Sequence, residues 1–305
     1  APMTMELGAL RTFIAVAEHA SFTRAAEQLG MPKARVSTTI QQLEAELGTR
    51  LLHRTTRTVR LSPDGEQFRE RALLLLADAD DLQALFHQAP GALRGRLRVD
   101  MPIGLARMVV IPQLPAFMAA HPQLDIELST TDRRVDVVHE GFDCVLRVGQ
   151  LQDSELVARR LGVQRQINVA SPAYLAAHGT PHSLCDLARH RIVRYAPGLG
   201  GGLAVWEYTA DDGLATLPMA SVVTVTSTDA YREACLAGLG IIQAPAYWLR
   251  PYIDAGALVE VMQAFGAPPM PVSLIYPNRR HVPKRVQAFM DWIDAVLQPY
   301  LQAPD

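Results

Sequence analysis

The sequence predicts an α+β multidomain protein: a small N-terminal domain of three helices and a β-ribbon, a long linking helix, and a C-terminal α/β domain of two lobes. Three observations carry that prediction. Apolar residues recur at helical spacing through residues 6–47 and give way to a β-branched, arginine-rich stretch at 51–61. A leucine-rich heptad pattern then runs from Pro63 to about Gln88 and stops at Pro90-Gly91-Ala92. Beyond residue 92, short apolar runs alternate with helical patterns, which is how a sheet wound with helices reads.

Composition narrows the function classes. A chain of 305 residues, 49% hydrophobic and 20% charged, is ordinary for a globular protein with more than one core. No uninterrupted run of 18 apolar residues and no basic-then-apolar leader occurs, so no membrane association and a cytoplasmic location are expected. The net charge is −2, but residues 1–62 hold eight cations against five anions, so a +3 end sits on a remainder of −5. Such asymmetry suggests a module for a polyanion. Cys144, Cys185 and Cys235 show no C-x-x-C spacing, which favours reduced thiols. Cys144 falls in the apolar run from Val138 to Val148, where a buried thiol is expected. Neither H-E-x-x-H nor G-x-S-x-G appears, and Gly198-Leu199-Gly200-Gly201-Gly202 lacks the lysine and the following helix of a phosphate loop. No enzymatic activity, cofactor or metal is therefore expected.

In the N-terminal domain, Leu7, Leu10, Phe13, Ile14 and Ala17 predict a first amphipathic helix over 6–19. Ser21 is a good N-cap for a short second helix, which Gly30 ends. Pro32 then suits the start of a third helix, Lys33 to Leu47, closed by Gly48. Val36, Ile40, Leu43 and Leu47 line its apolar face, and polar residues crowd its N-terminal half. A short helix, a turn and a helix with hydrogen-bonding residues at its start is what insertion into a DNA major groove requires. Residues 51–61 predict a short ribbon with arginines at the tip and exposed side, completing a winged helix-turn-helix.

Ser62-Pro63 opens the linking helix, and Phe68, Ala72, Leu75, Ala79, Leu82 and Phe86 repeat at heptad spacing. About 25 residues at roughly 1.5 Å each make a helix close to 40 Å long, too long to be stable alone. It needs a partner helix or packing within its own chain, with Leu73, Leu74 and Leu76 adding further apolar surface.

The stretch Leu10-x-x-Phe13-x-x-Val16-x-x-x-x-Ser21-Phe22-Thr23-x-Ala25-Ala26-x-x-Leu29 resembles the N-terminal signature of the LysR family of transcriptional regulators. So do Val36-Ser37-x-x-Ile40-x-x-Leu43-Glu44-x-x-Leu47-Gly48, Leu51-Leu52-x-Arg54 and Leu61-Ser62-x-x-Gly65. The resemblance implies a domain order of 1–62 for DNA binding, 63–91 for dimerisation and hinge, and 92–305 for effector binding. It also implies that the linking helix pairs antiparallel with its twin, and that dimers assemble into a tetramer, a dimer of dimers. Many relatives carry arginine after the serine of the recognition helix, where this chain has Thr38. Base reading is therefore assigned to Lys33, Arg35 and Thr38, and phosphate contact to Ser37. Ser21, Thr23 and Gln41 complete the helical DNA-facing set. Arg54 and Arg57 are expected on the backbone or minor groove, with a salt bridge or a solvated charge as the alternative for each.

Past residue 92, strands are expected at Leu93–Val99, Asp125–Ser129, Cys144–Val148, Gln166–Ala170, Ile192–Tyr195, Val222–Val225 and Val272–Tyr276, with one more entered from Gly238–Ile242. Helices are expected at 105–120, Arg134–Glu140, 173–178, 229–237 and Val282–Leu297. This alternation predicts a parallel sheet. Two crossovers, near 163–166 and 268–271, would divide lobe I (92–165 and 269–305) from lobe II (166–268). The segments Glu140–Gly149 and Ala170–Leu175 also resemble the LysR effector domain, itself similar to the two-lobed periplasmic binding proteins.

By fold logic a small-molecule effector binds between the lobes, where strand C-termini and helix N-termini converge. That assigns Asp100, Met101, Pro102, Ile103, Gly104, Thr130, Thr131 and Asp132 on one side, with Arg147, Val148, Gly149 and Gln150. Lobe II adds Ala170, Ser171, Ser227, Thr228, Asp229 and Gln243. Free amides at the helix starts would favour an anionic or carbonyl-bearing ligand. Met101 and Pro102 stand where small hydroxyl residues are usual, which weakens the expectation of a simple carboxylate. Arg147 offers either a cation to the ligand or a structural ion pair. The implied partners are double-stranded DNA carrying an interrupted palindrome, a small-molecule effector, further copies of the chain and RNA polymerase. The alternative is a two-lobed ligand-binding protein sensing redox state through a cysteine.

Overall fold

The computed structural model describes residues 6–54, 59–86, 93–151, 156–196, 198–200, 202–278 and 282–303. The chain divides into two compact units, Ala1–Ala92 with Val138–Gly141, and Leu93–Val137 with Phe142–Asp305.

In the first unit, α1 (Leu7–His19), α2 (Phe22–Leu29) and α3 (Lys33–Leu47) precede an antiparallel ribbon of β1 (Leu52–Arg54) and β2 (Val59–Leu61), paired Leu52 to Leu61. The long helix α4 spans Pro63–Phe86. The apolar stripes of α1 and α3 meet in one core: Leu10, Phe13 and Val16 pack with Val36, Ile40 and Leu43, closed by Leu51 and Leu52. That core also takes Ala72 and Leu76 of α4, with Phe68 and Leu73 packed against it, and the Phe13 and Phe68 rings meet edge-on at 5.1 Å. The heptad seam read from the sequence is thus divided. Its first two members, Phe68 and Ala72, are used inside the chain's own domain, whereas Leu75 and Leu82 remain 51% and 59% exposed. A helix offers more than one apolar face, and period alone does not say which face meets which partner.

The second unit holds β3 (Arg94–Met101), then a continuous helical stretch of α5 (Ile103–Leu105), a π-helical turn (Ala106–Val110) and α6 (Ile111–Ala120). Pro112 has no N–H for the carbonyl four residues back, and its ring would clash there. The turn before it widens accordingly, and the Ile111 N–H reaches the Ala106 carbonyl five residues back. The segment Ile103–Ala120 is long and apolar enough to cross a membrane, but Leu105, Val109, Val110 and Phe117 are packed into the domain core. Next come β4 (Gln123–Thr130), β5 (Cys144–Val148) and β6 (Val157–Gln164). Lobe II follows with β7 (Gln166–Ala170), α7 (Pro172–His178), β8 (Arg191–Tyr195), the hairpin β9 (Val205–Ala210) and β10 (Gly213–Pro218), and β11 (Ala220–Val225). It continues through α8 (Thr228–Leu236), β12 (Ile242–Pro245), α9 (Ala246–Asp254) and β13 (Val259–Glu260). The chain returns with β14 (Met270–Tyr276) and α10 (Lys284–Leu297).

Among the described residues the first sheet has the order β4-β3-β5-β14-β6. β3 runs parallel to β4 and β5, but β14 is antiparallel to both β5 and β6, so the sheet is mixed rather than parallel. The returning strand arrives from the other lobe, without the same-sheet crossover helix that makes neighbours parallel. The expected helix at Arg134–Glu140 is absent. Val135 and Val137, two residues apart, both insert into a small cluster with Phe142, a spacing that turns accommodate and a helix does not. In lobe II, β7 pairs antiparallel with β12 and β13, and β8 pairs parallel with β11.

Candidate functional site

The first site is the exposed face of α3. Ser21, extended with φ −158°, caps α2 by accepting the Arg24 N–H at 3.4 Å, and Thr23 is exposed in that helix's first turn. Gly30, at φ 62°, closes α2 in the left-handed region that glycine takes at least cost. α3 then begins after Pro32 without a side-chain cap, so its first amides are left for another acceptor. Lys33, Arg35, Thr38 and Gln41 are exposed and Ser37 is half-buried. At 100° per residue Arg35, Ser37, Thr38 and Gln41 turn away from the buried Val36, Ile40 and Leu43, whereas Lys33 stands in line with that stripe, at the very start of the helix. Thr38 turns its hydroxyl back to the Ala34 carbonyl at 3.0 Å. Neither Lys33 nor Arg35 has an ion-pair partner among the described residues. Arg54 ends β1, and Arg57 lies outside the described residues.

Two residues of the sequence signature hold the wing in place. Glu44 Oε1 accepts the N–H groups of Leu51 and Leu52 at 2.9 and 3.0 Å, tying α3 to β1. Ser62 Oγ accepts the Gly65 N–H at 2.9 Å, and a Cβ on Gly65 would lie 2.0 Å from the Leu51 carbonyl oxygen.

The second site is a cavity of about 200 Å³ in the second unit, between its two lobes. Of the residues the sequence assigned to an effector, Pro102, Gly104, Thr131, Asp132, Arg147, Val148, Thr228 and Gln243 line it. Asp100, Met101, Ile103, Thr130, Gly149, Gln150, Ala170, Ser171, Ser227 and Asp229 do not. Asp100 and Met101 are buried at the end of β3, and Ser171 is a buried cap whose Oγ accepts the Tyr174 N–H at 3.3 Å. Ala170 and Ser171 were placed by the rule that ligands meet strand C-termini. Because β7 is antiparallel to β12, with Gln166 opposite Pro245, it is the start of β7 that faces the cavity. Ser227 Oγ accepts the Ala230 N–H at 3.3 Å as the α8 cap, and Asp229 pairs with Arg107 and Arg232, each at 3.1 Å. Gln243 lines the cavity with its hydrogen bonds already made: its amide bridges Asn168 Oδ1, the Glu207 carbonyl and the Glu207 N–H at 2.8–2.9 Å.

The rest of the lining was missed. Tyr195, Tyr231, Tyr247 and Trp248 give the cavity an aromatic wall, with Gln164 and Gln166 at the crossover between lobes. Gln164 and the α9 pair Tyr247-Trp248 lie in a strand and a helix that the sequence pattern did not reveal, whereas Gln166 opens a strand that was expected but whose other end was assigned to the ligand. Burial raises the phenols of Tyr231 and Tyr247, and burial together with the nearby Asp132 carboxylate pushes Tyr195 up to about 12.

The charges lining the cavity are already engaged. Arg147 Nη2 donates to Asp100 Oδ2 at 2.7 Å and its Nη1 to the Leu146 carbonyl at 2.9 Å, so this guanidinium sits in a structural ion pair. Burial pushes the Asp100 carboxyl above the usual carboxylate value, against hydrogen bonds from Ser129 and Arg147. The amides expected to be free for an anion are not free. Asp132 Oδ2 accepts the Thr228 N–H at 2.8 Å and the Thr228 hydroxyl at 2.9 Å, and its Oδ1 accepts the Ile103 N–H at 3.3 Å. No group of three His, Cys, Asp or Glu residues suited to a metal occurs among the described residues.

Residues 7–66 match the model of the bacterial regulatory helix-turn-helix protein, lysR family, and residues 90–298 that of the LysR substrate binding domain. The chain is 43% identical over 296 residues to the Escherichia coli K12 helix-turn-helix transcriptional regulator YhjC, covering 97% of this chain and 99% of that one. Among solved structures it is similar to CrgA, a LysR-type regulator of Neisseria meningitidis, at 30% identity and TM-score 0.60, over 97% of this chain and 100% of CrgA. It is likewise similar to the Vibrio cholerae virulence activator AphB, at 31% identity and TM-score 0.58, over 95% and 99% of the two chains. The chain belongs to the LysR family of helix-turn-helix transcriptional regulators, with a DNA-binding domain and an effector-binding domain.

Proposed function

We propose that this regulator reads an interrupted palindrome with Lys33, Arg35 and Thr38, and that an effector held in the cavity between its lobes tunes access of RNA polymerase. The observation that carries the reading is the start of α3: two exposed cations without ion-pair partners among the described residues, Lys33 and Arg35, beside Ser37, Thr38 and Gln41 on a helix whose other face is buried. A helix placed this way puts its first residues on base edges and its amides on phosphate. The exposed Leu75 and Leu82 support dimerisation through α4, which would set two recognition helices about 34 Å apart. A dimer of dimers would then bend the intervening DNA, and an effector would shift that bend only by binding the assembly states unequally. The domain division at 62/63 and 91/92, the two lobes, a cytoplasmic location and the lack of enzymatic activity all belong to this proposal.

The test is binding to the DNA flanking the regulator's own gene at two salt concentrations with excess competitor. Lys33→Ala and Arg35→Ala are each expected to lose about 1–3 kcal/mol of discrimination between sites. Arg57→Ala should weaken all sequences alike and lower the salt slope by about one. If the Lys33 and Arg35 variants weaken all sequences equally, these side chains sit on phosphate and the assignment to bases fails.

The redox alternative finds no support in the thiols. Cys144 and Cys235 are buried, and burial raises both, Cys235 to about 12, so neither is a ready thiolate. Only Cys185 is exposed. Ellman's reagent should therefore titrate one thiol per folded chain and all three in denaturant; rapid reaction of a second would restore that alternative.

A further inference from the structure

The cavity between the lobes departs from what helix starts usually offer a ligand. Thr228 opens α8, and its N–H and hydroxyl both point at a carboxylate, but the carboxylate is Asp132 of the same chain. The other Asp132 oxygen takes the Ile103 N–H, so one side chain is bonded to both lobes. The cation in the lining, Arg147, is held by Asp100. An incoming anion would thus meet a like charge at the amides it needs and a neutralised arginine, with no low-dielectric compensation for its own desolvation.

What remains unspent in the lining is neutral. Trp248 Nε1, Gln166 Nε2 and Gln164 Oε1 are buried and have no hydrogen-bond partner among the described residues. Their side chains belong to residues only 3%, 8% and 3% exposed, so such atoms are costly to leave alone. The aromatic wall, with the charges of the lining already engaged, matches an uncharged flat ring. The volume, about 200 Å³, suits a single ring, given that a cavity of about 150 Å³ holds benzene.

We propose that Asp132 is an internal carboxylate filling the anion position of the cleft, and that the effector is an uncharged single-ring compound seated against the aromatic wall of Tyr195, Tyr231, Tyr247 and Trp248. This rests on the reading of the cavity as the effector site. Asp132 then joins the lobes in the absence of effector, and the ligand adds to that closure without replacing it.

The experiment uses the full chain, Asp132→Gly and Asp132→Asn. Sodium acetate at about 50 mM, against matched chloride, should raise the Tm of Asp132→Gly and leave the wild type unmoved, since only the glycine variant has the position vacant. Asp132→Asn, with the space still filled, should not respond. Equal acetate responses in all three proteins, or none in Asp132→Gly, would overturn the internal carboxylate. Ligand class is read by titrating benzamide and benzoate calorimetrically, with Trp248→Phe, which alters the aromatic wall, expected to weaken benzamide. Benzamide should bind the wild type at least about tenfold tighter than benzoate, and Asp132→Gly should narrow or reverse that preference. Benzoate binding more tightly to the wild type would sink the uncharged effector while leaving the cavity as an effector site. If neither compound binds any form at millimolar concentration, the effector-site reading falls and takes the inference with it.

Discussion

Gly65→Ala is expected to unfold the winged helix-turn-helix. The added Cβ would lie 2.0 Å from the Leu51 carbonyl oxygen and 2.9 Å from its carbon. Neither atom can yield cheaply: Leu51 is buried, and its carbonyl also accepts the Ser62 N–H at 2.9 Å, the bond that brings the chain out of the wing. Relief would require α4 to move by an ångström or more from β1, breaking the Ser62 Oγ bond to the Gly65 N–H and loosening Ala72 and Leu76 from the core. A cost above about 4 kcal/mol follows, enough to exhaust the stability of a small domain. Gly8 in α1 is the control. Nothing lies within 4 Å of a Cβ there, so Gly8→Ala should stabilise by about 0.5–1 kcal/mol through helix propensity alone. Calorimetry of both variants checks the pair; a loss under about 1 kcal/mol for Gly65→Ala would mean that helix and wing are not held so tightly.

The second large effect is expected in the effector domain. Arg147→Met removes the partner of Asp100, whose side chain is wholly buried, and should cost about 3–5 kcal/mol near neutral pH. The variant carries a pH signature whose sign follows from linkage. Asp100 already has a raised carboxyl in the folded protein because of burial, and losing the guanidinium raises it further. A carboxyl raised by folding contributes stability that is present below its unfolded value of about 3.9 and lost as pH rises through the folded value. The deficit relative to wild type should therefore shrink steadily on acidification from neutral pH. Asp100→Asn combined with Arg147→Met should recover most of the loss, because no buried charge is then left alone. A deficit that is flat with pH, or a double variant no better than the single, would show that packing rather than the ion pair is at stake.

Much of the first unit was legible in the sequence. Its helices are stopped by local devices, Ser21 at one cap and Gly30 and Gly48 at two closures, and its apolar residues recur at the period of the structure they form. Local chemistry is readable because it acts over three or four residues. The heptad on α4 was legible as a pattern but not in its use, because Phe68 and Ala72 are claimed by α1 and its core, which are distant in sequence.

The cleft shows the same division more sharply. Helix starts and strand ends pointed to Pro102, Gly104, Asp132, Arg147 and Thr228 as residues gathered between two lobes. Whether Asp132 would serve a ligand or the protein itself depended on Ile103 and Thr228, which lie 29 and 96 residues away and meet it only in the folded domain, Thr228 from the other lobe. The direction of β7 relative to β12 likewise decided that Gln166 and not Ala170 faces the cavity. Periodicity and capping are properties of neighbouring residues and survive in a sequence. Strand direction, the pairing of buried charges and the ownership of a hydrogen bond are properties of segments brought together by packing, and they exist only once the chain has folded.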